Sequence, residues 1–354
     1  MARWDSLAKR DELHGLNRHG QRLSDDDMRE SPYCIERPHT GFRWNDGDWE
    51  TIEWYPQGIA GITNADQSKK FLLVSWYHQN REKKKDKLGF KGVRVSLVDV
   101  TDMDDIWYRH VLLVERDGAS IKPLTNAAGH SIHAGGIAVL GTTLYVADSA
   151  NSQIRSFDLS RLVAAAPDTG KSRCEKTADG TYYAYDYRYL MIQQAARSVT
   201  PALLSFMSMD WSNPTSPSLL TGGFYYPDKG YDTSPSVRWW RPEDIVNATT
   251  ALTGERTPPG LAGTLKDCFL GEKAQGATRV GDRLWVSRSY GEGNQGRLAI
   301  FNIANPSAPK SLGSASWPIG AEGIFAAKTS DNVWCCTEFP EKRIVFAVKK
   351  SAYP

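Results

Sequence analysis

The sequence predicts an all-β protein, and three observations lead there. Twelve Trp, 15 Tyr and 11 Phe in 354 residues supply bulky side chains that favour sheets and their cores. From Trp49 onward, short runs rich in Val, Ile, Tyr and Trp alternate with Gly, Pro, Asn and Asp, the mark of strands joined by turns. Helical periodicity is nearly absent, and the strand-like runs are too many for a single sandwich.

Taken in order, the first 48 residues are rich in charge, carry the acidic run Ser24-Asp25-Asp26-Asp27, and show a weak helical pattern around Trp4, Leu7 and Leu13. They read as an N-terminal extension, packed on the main domain or free in solvent, with residues 49–354 as one domain. Within that domain a repeat opens with small, glycine-containing strands: Gln57-Gly58-Ile59-Ala60, Gly135-Gly136-Ile137-Ala138, Gln275-Gly276-Ala277-Thr278 and Glu322-Gly323-Ile324-Phe325. A bulkier strand follows each: Phe71-Leu72-Leu73-Val74, Thr143-Leu144-Tyr145-Val146, Arg283-Leu284-Trp285-Val286 and Asn332-Val333-Trp334-Cys335. Third strands then fit Val93-Arg94-Val95-Ser96-Leu97, Ile154-Arg155-Ser156-Phe157, Arg297-Leu298-Ala299-Ile300 and Arg343-Ile344-Val345-Phe346. A weaker copy fits residues 204–210, 219–224 and 237–240.

Repeated strands with a small innermost member predict a β-propeller, whose blades crowd at the axis and whose later strands fill the space between blades. Five blades are favoured, and six remain open if residues 201–230 hide another unit. Extra length falls in insertions: residues 167–181, residues 247–263, and the basic stretch at 81–87, which reads as a solvated hairpin tip. The last copy stops after its third strand near Lys350, and residues 49–54 are expected to supply the missing outer strand.

Composition narrows the partners. Forty-three Lys+Arg against 41 Asp+Glu leave a formal charge of +2, so nothing favours nucleic acid or an anionic membrane as main partner. No run approaches the roughly 18 apolar residues of a membrane helix, and residues 1–10 are too polar for a secretory signal. The sequence reads as that of a soluble cytoplasmic protein. Cys34, Cys174, Cys268, Cys335 and Cys336 lack zinc spacing and read as thiols. There is no GxSxG, P-loop or HExxH motif, and Gly291-Glu292-Gly293-Asn294-Gln295-Gly296 sits in a hairpin turn.

In an up-and-down blade, the start of the first strand and the end of the second lie at the same mouth of the axis. First-strand starts carry Gln57, His133, Asp210 or Ser208, Gln275 and Glu322. Second-strand ends carry Trp76, Tyr77 and His78; Asp148 and Asn151; Tyr225 and Tyr226; Arg288 and Tyr290; Glu338 and Phe339. Amides, a few ionisable groups and many aromatics suit an apolar or aromatic small molecule held by a few polar contacts. Each also has a structural reading: amides bonding neighbouring backbone, Asp148 shaping a turn, Tyr225-Tyr226 packing between blades. An inward Glu322 needs a partner or a shifted pKa.

His133-Ala134-Gly135-Gly136-Ile137-Ala138, Leu144-Tyr145-Val146-Ala147-Asp148 and Ile154-Arg155-Ser156-Phe157-Asp158-Leu159 resemble blades of NHL and gluconolactonase/strictosidine-synthase-like propellers. That resemblance implies a metal-dependent lactonase as one reading, with Glu322 and either Asp148 or Asp210 as the acidic ligands. The last blade, Gly320-Ala321-Glu322-Gly323 with Trp334-Cys335-Cys336-Thr337-Glu338-Phe339-Pro340-Glu341-Lys342-Arg343, is similar to propellers that include fungal hetero-Diels–Alderases of tropolone-sesquiterpenoid pathways. This second resemblance implies a cofactor-independent cyclase that joins an o-quinone methide to an apolar terpene alkene. His133 or Glu322 would assist loss of water, Gln57, Gln275 or Arg288 would polarise the carbonyl, and no metal or cofactor is expected. A non-enzymatic binding scaffold is the third reading.

Overall fold

The computed structural model describes residues 18–63, 68–80, 89–168, 172–226, 231–232, 236–266 and 270–353. The basic stretch at 81–87, Cys268 and the apolar pattern around Trp4 lie outside them. The described chain is all-β and propeller-like, built from antiparallel sheets. The first is a meander of Trp54–Thr63, Lys70–His78, Val93–Asp99 and Ile106–Asp117. The second comprises Ile137–Leu140, Thr143–Asp148, Gln153–Asp158 and Ala195–Thr200. The third holds Phe206–Asp210, Ser218–Gly222 and Val237–Trp240, with Glu255 bridging to Trp239 at its outer edge. The fourth holds Ala274–Val280, Arg283–Arg288, Gly296–Asn302 and Lys310–Trp317. Ala321–Ala326, Asn332–Thr337 and Ile344–Lys349 begin the last.

Among the described residues the innermost strands touch in a cycle, first to second, second to third, third to fourth, fourth to last, and last back to first. Glycine makes the approach possible. A Cβ on Gly58 would stand 2.7 Å from the Ile137 nitrogen, one on Gly136 1.8 Å from the Met207 nitrogen, one on Gly276 2.7 Å from the Glu322 oxygen, and one on Gly323 2.8 Å from the Gln57 oxygen. Backbone therefore meets backbone where side chains would otherwise hold the strands apart. Between the third and fourth sheets the link is a hydroxyl: Ser208 Oγ donates to the Ala277 carbonyl at 2.6 Å.

The last sheet is completed from the far end of the chain. Thr40–Arg43 pairs antiparallel with Ile344–Lys349, setting Thr40 opposite Ala347 and Phe42 opposite Val345. Residues 49–54 do not take this place: Asp46–Glu50 is a short helix capped by Asn45, and Trp54 already opens the first inner strand. Arg18–Arg22 then pairs with both Thr40–Arg43 and Ile106–Asp117, joining the outer edges of the last and first sheets. The expected boundary at residue 48 thus coincides with no break in the sheet. The acidic run at residues 24–27 begins the helix Asp25–Arg29, capped by the Ser24 and Asp27 side chains, an N-terminal arrangement acidic residues favour.

Asp48 anchors the capped helix to the first sheet. It accepts from Arg94 Nη2 at 2.8 Å, Tyr108 Oη at 2.8 Å and Arg18 Nη1 at 2.8 Å, and bonds His110 Nε2 at 3.0 Å. Burial works against its charge, yet His110, Arg94 and Arg18 hold its pKa well below the usual 3.8. Apolar clusters fill the spaces between sheets; Trp76, Tyr108, Phe42 and Trp334 share one of them. Cys335 and Cys336 face opposite sides of their strand into different clusters and are free thiols, as are Cys34 and Cys174. Among the described residues no helix is long and apolar enough to cross a membrane.

Gly136→Ala should cost about 3 kcal/mol or more in urea unfolding, because relieving backbone overlap at the axis moves two sheets. Gly47→Ala, whose Cβ would meet only Asn45 Oδ1 at 4.0 Å, should be neutral within about 1 kcal/mol. Equal effects of the two substitutions would contradict the tight axis.

Candidate functional site

The inner strands are irregular where the expected polar residues lie. Register shifts occur between Pro56 and Ile59, between Ala274 and Gly276, and between Ala321 and Ile324. These steps contain Gln57, Gln275 and Glu322. A bulge re-aims the side chain it carries, and here the same device recurs at equivalent points of three sheets.

Two of these residues meet at one mouth. Gln57 Nε2 donates to Glu338 Oε2 at 3.0 Å, and the Glu338 and Glu322 carboxyls hydrogen-bond to each other. Two carboxyl groups can bond only by sharing a proton. Glu322 is 1% exposed; its burial first, and the Glu338 charge second, push its pKa well above the usual 4.5. Of the two it holds its proton more tightly, while half-buried Glu338 faces the mouth. Glu322 Oε1 and Gln57 Oε1 are buried with no hydrogen-bond partner among the described residues, leaving polar capacity in a dry setting.

Aromatic groups stand beside the pair. The Tyr77 ring lies 4.5 Å from the His133 ring and 5.8 Å from the Tyr55 ring. Burial, with Glu338 and Glu322 nearby, raises the Tyr77 hydroxyl far above its usual 10, so it stays protonated; Gln79 Nε2 donates to it. Desolvation lowers His133 to about 4, which leaves a neutral imidazole able to accept a proton. Gln57, Tyr77, His133, Glu322 and Glu338 form one constellation.

Its frame is rigid. Gly58 N–H donates to Ser75 Oγ at 2.9 Å, and Ser75 Oγ donates to the Ala134 carbonyl at 2.9 Å, tying the strand that carries Gln57 to the approach that carries His133. Cys336 Sγ donates to the Gln57 carbonyl at 3.3 Å. Arg343 is wholly buried; its Nε donates to the Glu338 carbonyl at 2.7 Å, and its Nη1 to the carbonyls of Thr51 at 2.6 Å and Asp48 at 2.9 Å. Burial lowers its pKa to about 9. Phe339 packs on Gly320, whose φ of 70° only glycine adopts without strain.

A second group lies at the same ends of other sheets. Lys273 Nζ stands 4.1 Å from the Tyr226 ring centre and 5.2 Å from that of Tyr290, and Lys273 N–H donates to the Tyr225 carbonyl at 2.9 Å. Half-buried Gln275 follows two residues later. Tyr55, Arg343 and Lys273 are contributors absent from the expected set. Arg343 had a visible signal: a buried Arg recurs at the start of third strands, as Arg94, Arg155 and Arg343.

Other expected residues are placed elsewhere. Trp76 is fully buried in the core and donates to Ser96 Oγ at 2.7 Å. His78 is buried against Trp54 and Phe90, its Nδ1 accepting from Lys91 N–H at 3.2 Å, and desolvation lowers it to about 4. Asp148 is wholly buried and accepts from Arg155 Nε at 2.8 Å and Asn151 Nδ2 at 2.8 Å, shaping its turn. Asp210 closes its inner strand at the opposite end, bound to Trp239 Nε1 at 2.8 Å and Arg279 Nη1 at 3.3 Å. Arg288 donates to the Leu270 carbonyl rather than standing free. Asp148 and Asp210, either of which a lactonase reading would add to Glu322, are thus each paired with an arginine, and among the described residues no three His, Cys, Asp or Glu side chains are grouped to hold a metal ion.

No family model matches the chain, and no curated protein does. Three solved structures align with most of the chain at low identity. Glutaminyl cyclase from Myxococcus xanthus aligns with a TM-score of 0.38 and 9% identity over 84% of this chain and 94% of that one. RS223-β-xylosidase aligns with a TM-score of 0.45 and 12% identity over 86% and 93%. Hydrazine synthase from Kuenenia stuttgartiensis aligns with a TM-score of 0.33 and 8% identity over 81% of this chain and 57% of that one. The first two are propeller-like folds.

Proposed function

We propose that the chain is a five-bladed propeller and a cyclase of natural-product assembly, joining a tropolone-type o-quinone methide to an apolar terpene alkene by hetero-Diels–Alder cycloaddition. One observation carries this reading: Glu322, a buried carboxyl whose pKa is pushed up, stands with Glu338 and Gln57 beside His133 and the aromatic face of Tyr77.

The chemistry asks for what this constellation offers. A hydroxymethyl precursor becomes the quinone methide by losing water. The carboxyl pair, through Glu338, gives a proton to the departing hydroxyl, and His133 takes the proton of the ring hydroxyl, so H₂O leaves and charge balances. In the cycloaddition one C–C and one C–O bond form and no atom is lost. Holding both partners in reactive orientation lowers the barrier by several kcal/mol. A donor on the heterodiene oxygen, from the re-protonated carboxyl pair or Gln57 Nε2, stabilises charge developing there. Tyr77, Tyr226 and Tyr290 provide apolar surface for the alkene partner.

Purified protein given a quinone-methide precursor and a terpene alkene should form adduct faster than buffer does and as one stereoisomer. Adduct no faster and no more stereoselective than in buffer overturns the reading. Glu322→Gln should lower the rate about 100-fold while the protein stays folded.

The same carboxyl gives a stability signature. Glu322 binds its proton more tightly folded than unfolded, so its contribution is fully present below pH 4.5 and is lost as pH rises toward the folded value. His133, lowered from 6.5 to about 4, works the other way, its contribution being lost as pH falls through that window. Comparing wild type with Glu322→Gln cancels the histidine. Wild type should lose melting temperature relative to the variant as pH rises above 4.5; a difference independent of pH contradicts a neutral Glu322.

A further inference from the structure

The other end of the axis holds a cavity of about 600 Å³, within the roughly 300–1,000 Å³ of small-molecule pockets. Its floor is the far ends of the inner strands, among them Ile62, Val139, Met209 and Phe325, and Trp211 and Trp334 form part of its wall. None of Gln57, Tyr77, His133, Glu322 or Glu338 lines it. The glycine contacts at Gly58, Gly136, Gly276 and Gly323 lie between the two ends.

The lining is one-sided in charge. Among the described residues it includes Arg22, His39, Lys70 and Lys328 and no Asp or Glu. Arg22 is paired with Asp104, and burial with Lys349 nearby lowers the His39 pKa below its usual 6.5, leaving it neutral. The net charge at the rim therefore comes from Lys70 and Lys328. Lys328 Nζ is held 4.4 Å from the Trp211 ring centre, where a cation and an apolar wall meet. An apolar cavity rimmed by unopposed ammonium groups is complementary to a molecule with a hydrocarbon body and one anionic end.

We propose that this cavity is a second binding site, for an apolar monocarboxylate. The body fills the space between the inner strand ends and Trp334, and the carboxylate lies between Lys70 and Lys328. The site is separate from the carboxyl-pair mouth and does not depend on the reaction assigned there.

Decanoate and decanol, titrated calorimetrically into the whole protein at low salt, test this. Decanoate should bind one site and about fivefold more tightly than decanol, the margin shrinking with added salt. Lys70→Glu combined with Lys328→Glu, both at exposed positions, should remove the margin while decanol still binds. Ala327→Trp, on the lining, should weaken both ligands about tenfold. Three results overturn the proposal: no binding of decanoate, equal affinity for the two ligands in wild type, or binding that neither substitution changes. If Ala327→Trp unfolds the protein, the lysine pair alone decides.

Discussion

Everything in this molecule rests on how closely the inner strands approach one another. At Gly58, Gly136, Gly276 and Gly323 the space for even a methyl group is already taken by neighbouring backbone, so the sheets converge until peptide groups touch. That closeness leaves little room for regular pairing. At three of these points the strand leaves register, at Gln57-Gly58, Gln275-Gly276 and Glu322-Gly323. The glycine that permits the contact and the polar side chain redirected toward the mouth are consecutive residues, so packing and chemistry are set by the same dipeptide.

The electrostatics at the mouth follow from dryness. A carboxylate in the place of Glu322 would lose its water with no ion pair to replace it, since Arg343 directs its Nε and Nη1 to the carbonyls of Glu338, Thr51 and Asp48. Keeping the proton and sharing it with Glu338 is the lower-energy outcome. Asp48 is the contrasting case: equally buried, it stays ionised because Arg94, Arg18 and His110 converge on it. The pKa values of two buried acids in one protein are thus pushed in opposite directions, and their partners decide which.

The sequence showed the repeat wherever Gly and a polar residue marked it. All-β character, the inner strands at Gln57, Gln275 and Glu322, and the partnership of first-strand starts with second-strand ends were legible because they are local patterns. The third sheet was harder. Its inner strand begins at Phe206, which stands where other sheets have glycine, so Asp210 looked like a mouth residue and lies at the other end. Asp148 and Asp210 resemble free acids in sequence; in the fold each is buried and paired with an arginine, Arg155 and Arg279. The outer strand of the last sheet was missed because its pairing joins Thr40 to Ala347, a contact that leaves no mark on either segment. Tyr55 and Lys273 were missed because an aromatic or a lysine beside a strand end is common in any sheet protein.

That pairing of Thr40–Arg43 with Ile344–Lys349 also bears on how the protein is made. As the chain leaves the ribosome, its early strands can form sheets one after another, but the outer strand of the last sheet, Thr40–Arg43, has no partner there until Ile344–Lys349 is synthesised. The early segment, paired with Arg18–Arg22 on one side, must wait with its other edge open until Ile344–Lys349 is made. Contacts so distant in sequence form slowly, so acquisition of the complete ring is a late, single event. Before it, Thr40–Arg43 exposes an unpaired edge, and a nascent chain at this stage is open to pairing that edge with a neighbour.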